Sequence, residues 1–196
     1  MTATIETFVG SIVDPRVGAH AIVNASNPEL GLGSGVSGAI REACGGHSFQ
    51  ELVRTAWREE FDEPLEPGDC LVTTAGSCLH LSWVLHVPTV NYRARDAETS
   101  GFTGPRRIRS CMTAAIREAT ELAETEGLVG ELVLATPLLG AGHGGLGSVR
   151  SLEAMMDAVR RWRDNRGWRL GKLVVAVLES REARLVGLAA QRFGLE

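Results

Sequence analysis

The chain has 196 residues, a formal net charge of −4, 44% hydrophobic and 22% charged side chains. That balance is globular and excludes a disordered, collagenous or coiled-coil architecture. An acidic chain without a Lys/Arg stretch flanked by aromatics also argues against sequence-independent nucleic-acid binding, which rests on a basic surface. The length fits one domain over residues 1–196. No apolar run approaches the roughly 20 residues of a membrane span, and the first residues, Met1 to Phe8, lack the basic and apolar regions of a signal peptide. A cytoplasmic protein is expected. Cys44, Cys70, Cys78 and Cys111 contain no C-x-x-C pair; they are expected to be small core hydrophobes, and no metal site is expected.

In chain order, Ile5 to Val9 reads as a strand, and Ala19 to Ala25 as a second one bounded by Gly18 and a polar Asn-Pro stretch. Ser34 to Cys44 reads as a helix stopped by Gly45 and Gly46. A further helix is expected from Ser48 to Phe61, with Ser48 as its N-cap and Leu52, Val53, Ala56 and Trp57 on one face. Pro67-Gly68 marks a turn before the strand Asp69 to Thr74. Trp83 to Val87 is another short apolar run.

Residues 90–104 are mostly polar and long enough to suspect a functional surface. Within them, Asn91-Tyr-Arg-Ala-Arg-Asp96 holds the chain's only tyrosine and two arginines; a solvated loop is its expected state, and a cap over a site the alternative. Pro105 opens a helix with a core stripe of Ile108, Cys111, Met112, Ala115, Ile116, Ala119 and Leu122. Leu132 to Leu139 is a strand, 140–147 a Gly-rich loop, and Val149 to Arg163 a helix. Arg160, Arg161, Arg163, Arg166 and Arg169 are expected near that helix's C-terminus, where cations complement its dipole. Leu173 to Leu178 is the last strand and Arg181 to Phe193 the last helix. The alternation implies an α/β domain with a mixed, largely parallel sheet between helical layers.

Two Gly-rich loops each join a strand to a helix: Asn24 to Gly38, and Leu139-Gly-Ala-Gly-His-Gly-Gly-Leu-Gly147. In such sheets ligands bind beyond the carboxyl ends of the strands. Loops without Cβ atoms let backbone N–H groups approach a phosphate, and the following helix adds its dipole. The plainer alternative is that the glycines only make tight turns. Gly33, Gly35 and Gly38 also fit G-x-G-x-x-G, but a dinucleotide site needs a strand running straight into the first glycine. Here 24–32 intervene, and no acidic residue ends a second strand about 20 positions on. No Gly-Lys-Ser/Thr occurs, so a Walker A loop is absent.

Ala21-Ile-Val-Asn-Ala-Ser-Asn27 followed by Gly33-Ser-Gly-Val-Ser-Gly-Ala-Ile40 resembles the signature of macrodomains, three-layer α/β/α modules that bind ADP-ribose. Phe8-Val-Gly-Ser-Ile12, Pro67-Gly-Asp-Cys-Leu-Val-Thr73, Val84-Leu-His-Val87 and the second Gly-rich loop follow the family's order. The resemblance covers nearly the whole chain. It implies that Asn27 holds the distal ribose and that Gly33, Ser34, Gly35 and Val36 lie along that ribose and the diphosphate. It further implies that Gly140, Ala141, Gly142, His143 and Gly144 form a second phosphate loop, and that Ile12 lies near the adenine. Asn24 is expected to brace the first loop through its backbone groups.

The departures from the pattern bear on chemistry. Ser11 stands where the family usually has an Asp that accepts from the adenine amino group, and Ser37 where one hydrolase branch has a catalytic Asp. No aromatic stands at Gly144 or after the last strand. His143, between two glycines, is either a ligand-facing imidazole or a solvent-facing loop residue. His86 reads as a satisfied core histidine.

The resemblance implies a protein that recognises ADP-ribose or an ADP-ribosylated macromolecule, without a cofactor, and with nucleic acid a partner only as a modified substrate. Hydrolysis of the ADP-ribosyl linkage would use a water held by Asn27 and the substrate's own phosphate. The competing readings are a non-catalytic reader, favoured by Ser37, and a Rossmann-like NAD-binding protein.

Overall fold

The computed structural model describes residues 3–195. Among these residues six strands form one sheet: β1 (Ile5–Val9), β2 (Ala21–Ser26), β3 (Leu71–Thr74), β4 (Trp83–Pro88), β5 (Val133–Pro137) and β6 (Lys172–Val177). Their spatial order is β1-β6-β5-β2-β4-β3. Every neighbouring pair is parallel except the edge pair β3–β4, which is antiparallel. Five helices cover the sheet: α1 (Gly35–Cys44), α2 (His47–Glu60), α3 (Pro105–Thr125), α4 (Ser148–Arg166) and α5 (Ser180–Arg192).

The period of two along a strand divides the apolar residues between two cores. Ala21 and Val23 of β2, Leu134 of β5, and Leu173 and Val175 of β6 pack with residues of α3, α4 and α5. Ile22, Ala135, Val174 and Ala176 point the other way, among Ile40, Phe49 and Val53 of α1 and α2. A helix layer therefore lies on each face, and the fold is the three-layer α/β/α arrangement that the alternation of patterns predicts. The stripe from Ile108 to Ala119 on α3 is buried throughout.

Two local expectations are corrected. Ser48 does not cap α2. The helix begins at His47 behind Gly46, with no side-chain cap. Gly45 and Gly46 have φ of 123° and 63°, a conformation open to glycine, and the N–H of Gly46 returns to Arg41 O at the end of α1 (2.8 Å). The two glycines thus close one helix and open the next without space for an N-cap serine. The basic cluster is only partly a helix-end feature. Arg163 and Arg166 occupy the last turn of α4, but Arg160, Arg161 and Arg109 converge on Asp157 at 3.0, 2.8 and 2.7 Å. Arg169 lies beyond the helix and pairs with Glu124. Burial works to raise the Asp157 carboxyl, but hydrogen bonds from Arg160 and Arg161 and the nearby guanidinium charge outweigh it and hold the group below the usual carboxylate range.

All four cysteines are buried and unbridged. Burial pushes the Cys44 and Cys111 thiols up to about 12 and Cys70 upward as well, so these three are packing residues rather than nucleophiles. Among the described residues no helix is long and apolar enough to cross a membrane, and no cluster of three metal-ligating side chains occurs.

Candidate functional site

The parallel strands bring their carboxyl ends to one edge of the sheet, and a cleft of about 570 Å³ opens there. Each of the five parallel strands supplies residues that follow its end: Gly10 to Ile12 after β1, Asn27 after β2, Thr89 and Val90 after β4, Leu138 and Gly140 to Gly144 after β5, and Leu178 after β6. The volume lies in the ordinary range for a ligand of several rings and phosphates. All twelve residues singled out from the sequence, Ser11, Ile12, Asn27, Gly33 to Val36 and Gly140 to Gly144, line this one cleft.

Two side-chain amides shape the first loop. Asn27 Oδ1 accepts from the N–H groups of Glu29 (3.1 Å) and Gly31 (3.2 Å), and Asn27 Nδ2 donates to Gly31 O (3.1 Å). Both carbonyl lone pairs are thereby used, and one amide N–H stays free for a ligand. From α2, buried Gln50 accepts from Leu32 N (2.8 Å) and donates to Leu30 O (3.0 Å). These bonds hold Leu30 at φ 53°, a strained value for a residue with a side chain. The bracing role expected of Asn24 thus falls to Asn27 and Gln50. The only hint of Gln50 in the sequence is an amide on the apolar face of α2, beside Phe49 and Val53.

Asn24 turns away from the loop backbone and joins a buried polar chain. Its Nδ2 donates to His86 Nδ1 (2.9 Å), and its Oδ1 accepts from Ser37 Oγ (2.8 Å). His86 Nε2 lies 3.0 Å from Thr73 Oγ1. Asn24 and His86 are register partners on β2 and β4, so the pairing of two strands places them side by side. With Nδ1 accepting, His86 carries its proton on Nε2 and donates it to Thr73. It is the satisfied core histidine that its sequence context predicts, and burial drives its pKa down to about 3.

That depression has a measurable consequence. In the unfolded chain this imidazole takes a proton near its ordinary value of 6.5; in the folded chain it stays neutral until about 3. Unfolding therefore takes up an extra proton between these values, so stability falls as pH drops through that window. The denaturation midpoint is expected to decline from pH 6.5 toward 5, above the ordinary carboxylate values, and His86→Gln should flatten that segment. An unchanged slope in the variant would contradict this account of His86.

Among the described residues the cleft lining holds no Arg or Lys; its charged lining residue is Glu182 of α5, whose Oε1 accepts from Ser148 Oγ (2.7 Å). Anion affinity must come from backbone. At the start of α1, Ser34 makes no side-chain cap and Gly35 adopts φ 58°, so the first N–H groups of the helix remain open. In the second loop Leu146 N bonds Gly140 O and Gly145 N bonds Gly142 O. Among the described residues, the N–H groups of Gly142, His143 and Gly144 take no protein acceptor. The loop is tightly packed: a Cβ on Gly144 would lie 2.6 Å from Gly140 O and 2.8 Å from Thr103 Cγ2.

His143 is solvent-exposed and bridges the mouth. Its Nδ1 would stand 3.9 Å from a Cβ built on Gly35, so the two Gly-rich loops face each other across the cleft. Ser11 is exposed at the rim, while Ile12 is buried in the α1–α2 core. Ser26 Oγ is buried in the cleft floor without a hydrogen-bond partner.

The stretch Asn91 to Asp96 is largely solvated, as expected, with Tyr92 to Arg95 exposed, and the segment 90–104 is held by its own hydrogen bonds. Asp96 Oδ1 accepts from the N–H groups of Glu98 and Thr99, both at 3.0 Å. Phe102 N bonds Gly144 O (3.2 Å). Tyr92 packs edge-on against Phe102 with ring centroids 5.2 Å apart and lines the cleft. Leu178, Glu182 and Ser148 carry no local signal as lining residues: the folded sheet brings β6 and the start of α5 beside β1, and Ser148 at the start of α4 meets Glu182 there.

Fold and cleft together define an α/β/α module whose strand ends present two glycine loops and two helix N-termini, backbone features suited to phosphate. The chain belongs to the Macro domain family, whose model matches residues 23–155. An uncharacterized protein of Aquifex aeolicus is 30% identical over 158 residues, which is 81% of this chain and 82% of that one. An O-acetyl-ADP-ribose deacetylase of Citrobacter rodentium is 40% identical over 76 residues, 39% of this chain and 40% of its own length. A mutant of the Oceanobacillus iheyensis macrodomain, solved with ADPR, superimposes with a TM-score of 0.78 at 19% identity, covering 100% of this chain and 96% of that one.

Proposed function

We propose that the cleft binds ADP-ribose or an ADP-ribosyl group and that the chain hydrolyses an ADP-ribosyl linkage. The observation that carries this reading is the convergence of two glycine loops with open N–H groups on a cleft devoid of lysine and arginine. Such a site suits a diphosphate held by directional backbone donors rather than by a point charge. The deacetylase named among the relatives supports an ADP-ribose derivative as substrate. Residues 1–196 are taken as one such module, and its four buried, unbridged thiols suit the cytoplasm.

In this reading the second loop and the start of α1 grip the diphosphate, and Ile12 and Ser11 meet the adenine. The remaining N–H of Asn27 orients the distal ribose. Water aligned by Asn27 would attack the anomeric carbon as the bond from that carbon to the modified carboxylate side chain breaks; a phosphate oxygen of the substrate takes the water's proton and the side chain leaves as its carboxylate. His143 and Glu182 line the same cleft.

A non-catalytic reader is the second reading, favoured by Ser37. Incubating the protein with a protein ADP-ribosylated on carboxylate side chains, and measuring freed ADP-ribose, separates the two. Turnover above the uncatalysed rate is expected. Binding of the ADP-ribosyl group without turnover would leave a reader.

A further inference from the structure

One carboxylate stands in a cleft whose other features suit anions. Glu182, in the first turn of α5, is half-buried and lines the cleft. Its Oε1 accepts from Ser148 Oγ at 2.7 Å, and Ser148, the first residue of α4, belongs to the same lining. Arg181, beside it in sequence, pairs with Glu179 instead. The sheet order fixes which part of a ligand meets this carboxylate. Glu182 follows β6, which lies between β1 and β5. Ser11 and Ile12 follow β1, and the glycine loop that leads into Ser148 follows β5. The carboxylate therefore stands between the end of the cleft that meets the base and the loop that meets the diphosphate. In ADP-ribose the group joining those two is the adenosine ribose. The start of α4 also accounts for the negative charge: its first turn carries no side-chain cap, and its dipole favours an anion. Glu182 already supplies one, so a ligand phosphate brought here would meet a filled position and a like charge.

We propose that Glu182 restricts the ligand to one whose adenosine ribose has free hydroxyls: its carboxylate accepts from those hydroxyls and repels a phosphate esterified at the 2′ position. This rests on the ADP-ribose reading above and narrows its substrate class. ADP-ribosyl groups that originate from NAD fit the cleft, and their 2′-phosphorylated counterparts, which originate from NADP, do not. An ionised carboxylate only accepts, so it suits a sugar diol and opposes a phosphate oxygen, which has no proton to offer as a dianion. The same division of labour separates acidic dinucleotide sites, which hold the ribose hydroxyls, from sites where an arginine accommodates the 2′-phosphate. The repulsive part needs no exact alignment, because charge acts through space.

The test is calorimetric titration with ADP-ribose and with ADP-ribose carrying a 2′-phosphate on its adenosine. The wild type should prefer ADP-ribose by about 30-fold or more, as a like-charge contact requires. Glu182→Gln keeps the length of the side chain and an acceptor for Ser148 but removes the charge. Its preference should shrink to about fivefold or less, chiefly through tighter binding of the 2′-phosphorylated ligand. Glu182→Asp keeps the charge and should keep most of the preference. Raising the ionic strength reads the charge without any variant: the wild-type preference should narrow, and a preference indifferent to salt would contradict its origin in Glu182. Equal preference in the wild type and in a folded Glu182→Gln protein would overturn the proposal, as would a wild type that binds the two ligands equally; both results leave the ADP-ribose reading standing. A wild type that binds neither ligand would overturn both.

Discussion

Asn27→Ala is expected to cost about 30- to 100-fold in affinity for ADP-ribose, with a smaller loss of global stability. The side chain makes three hydrogen bonds to the backbone of its own loop, to Glu29 N, Gly31 N and Gly31 O. Each is worth about 1 kcal/mol net, so losing them removes about 2–3 kcal/mol from the ordered loop. A tenfold change corresponds to about 1.4 kcal/mol, and ligand affinity falls with the fraction of binding-competent loop. Gln50 still holds Leu30 and Leu32 from below, so the loop loosens around Gly31 without unravelling. Calorimetry and a thermal melt on the same preparation check this. Affinity within threefold of wild type would show that the loop is set by Gln50 and the glycines alone.

Gly144→Ala should be at least as damaging, and to ADP as well as ADP-ribose, because the diphosphate is common to both. A methyl at this position meets Gly140 O at 2.6 Å, Thr103 Cγ2 at 2.8 Å and Gly140 Cα at 3.0 Å. Two of the three obstacles are backbone, so the loop itself must open. That displaces the N–H groups of Gly142 to Gly144, and it pulls on Phe102, whose N–H bonds Gly144 O, and so on Tyr92 across the ring contact. A loss of about 30-fold or more in both affinities is expected, since a 1 Å misplacement of a binding group can remove about 100-fold. Gly142→Ala is the matched control, because its added methyl finds nothing within 4 Å. Equal losses in the two variants would mean that the loop senses its glycine content rather than this one contact.

The parts of the molecule legible in the sequence are those written in local pattern. Alternating strand and helix periods give the layers, and glycine-rich strand-to-helix junctions give both loops of the cleft. The junctions after β1, β2, β4, β5 and β6 that line the cleft fall at or near the ends of apolar runs, where the hydrophobic signal stops. What stayed hidden depends on pairing. Asn24 and His86 are 62 residues apart and meet only because β2 and β4 lie in register. Thr73 reaches the same imidazole through the antiparallel β3–β4 edge.

The reach of Gln50 to Leu30 and Leu32 depends on how α2 folds back over the first loop, through the paired glycines at 45 and 46. A polar residue on an apolar helix face is the trace such a brace leaves. Asp157 shows the opposite error: five arginines close in sequence invite a helix-dipole reading, yet the spatial arrangement is a carboxylate bound by Arg109, Arg160 and Arg161.

The central claim is that this cleft is an ADP-ribose site, and calorimetric titration of the wild-type protein with ADP-ribose, ADP and NAD tests it most directly. One site of about micromolar affinity for ADP-ribose, near −8 kcal/mol, with weaker binding of ADP and NAD, is the expected result. NAD binding as tight as ADP-ribose would point instead to a dinucleotide site, and no heat with any of the three would contradict the functional reading while leaving the fold untouched.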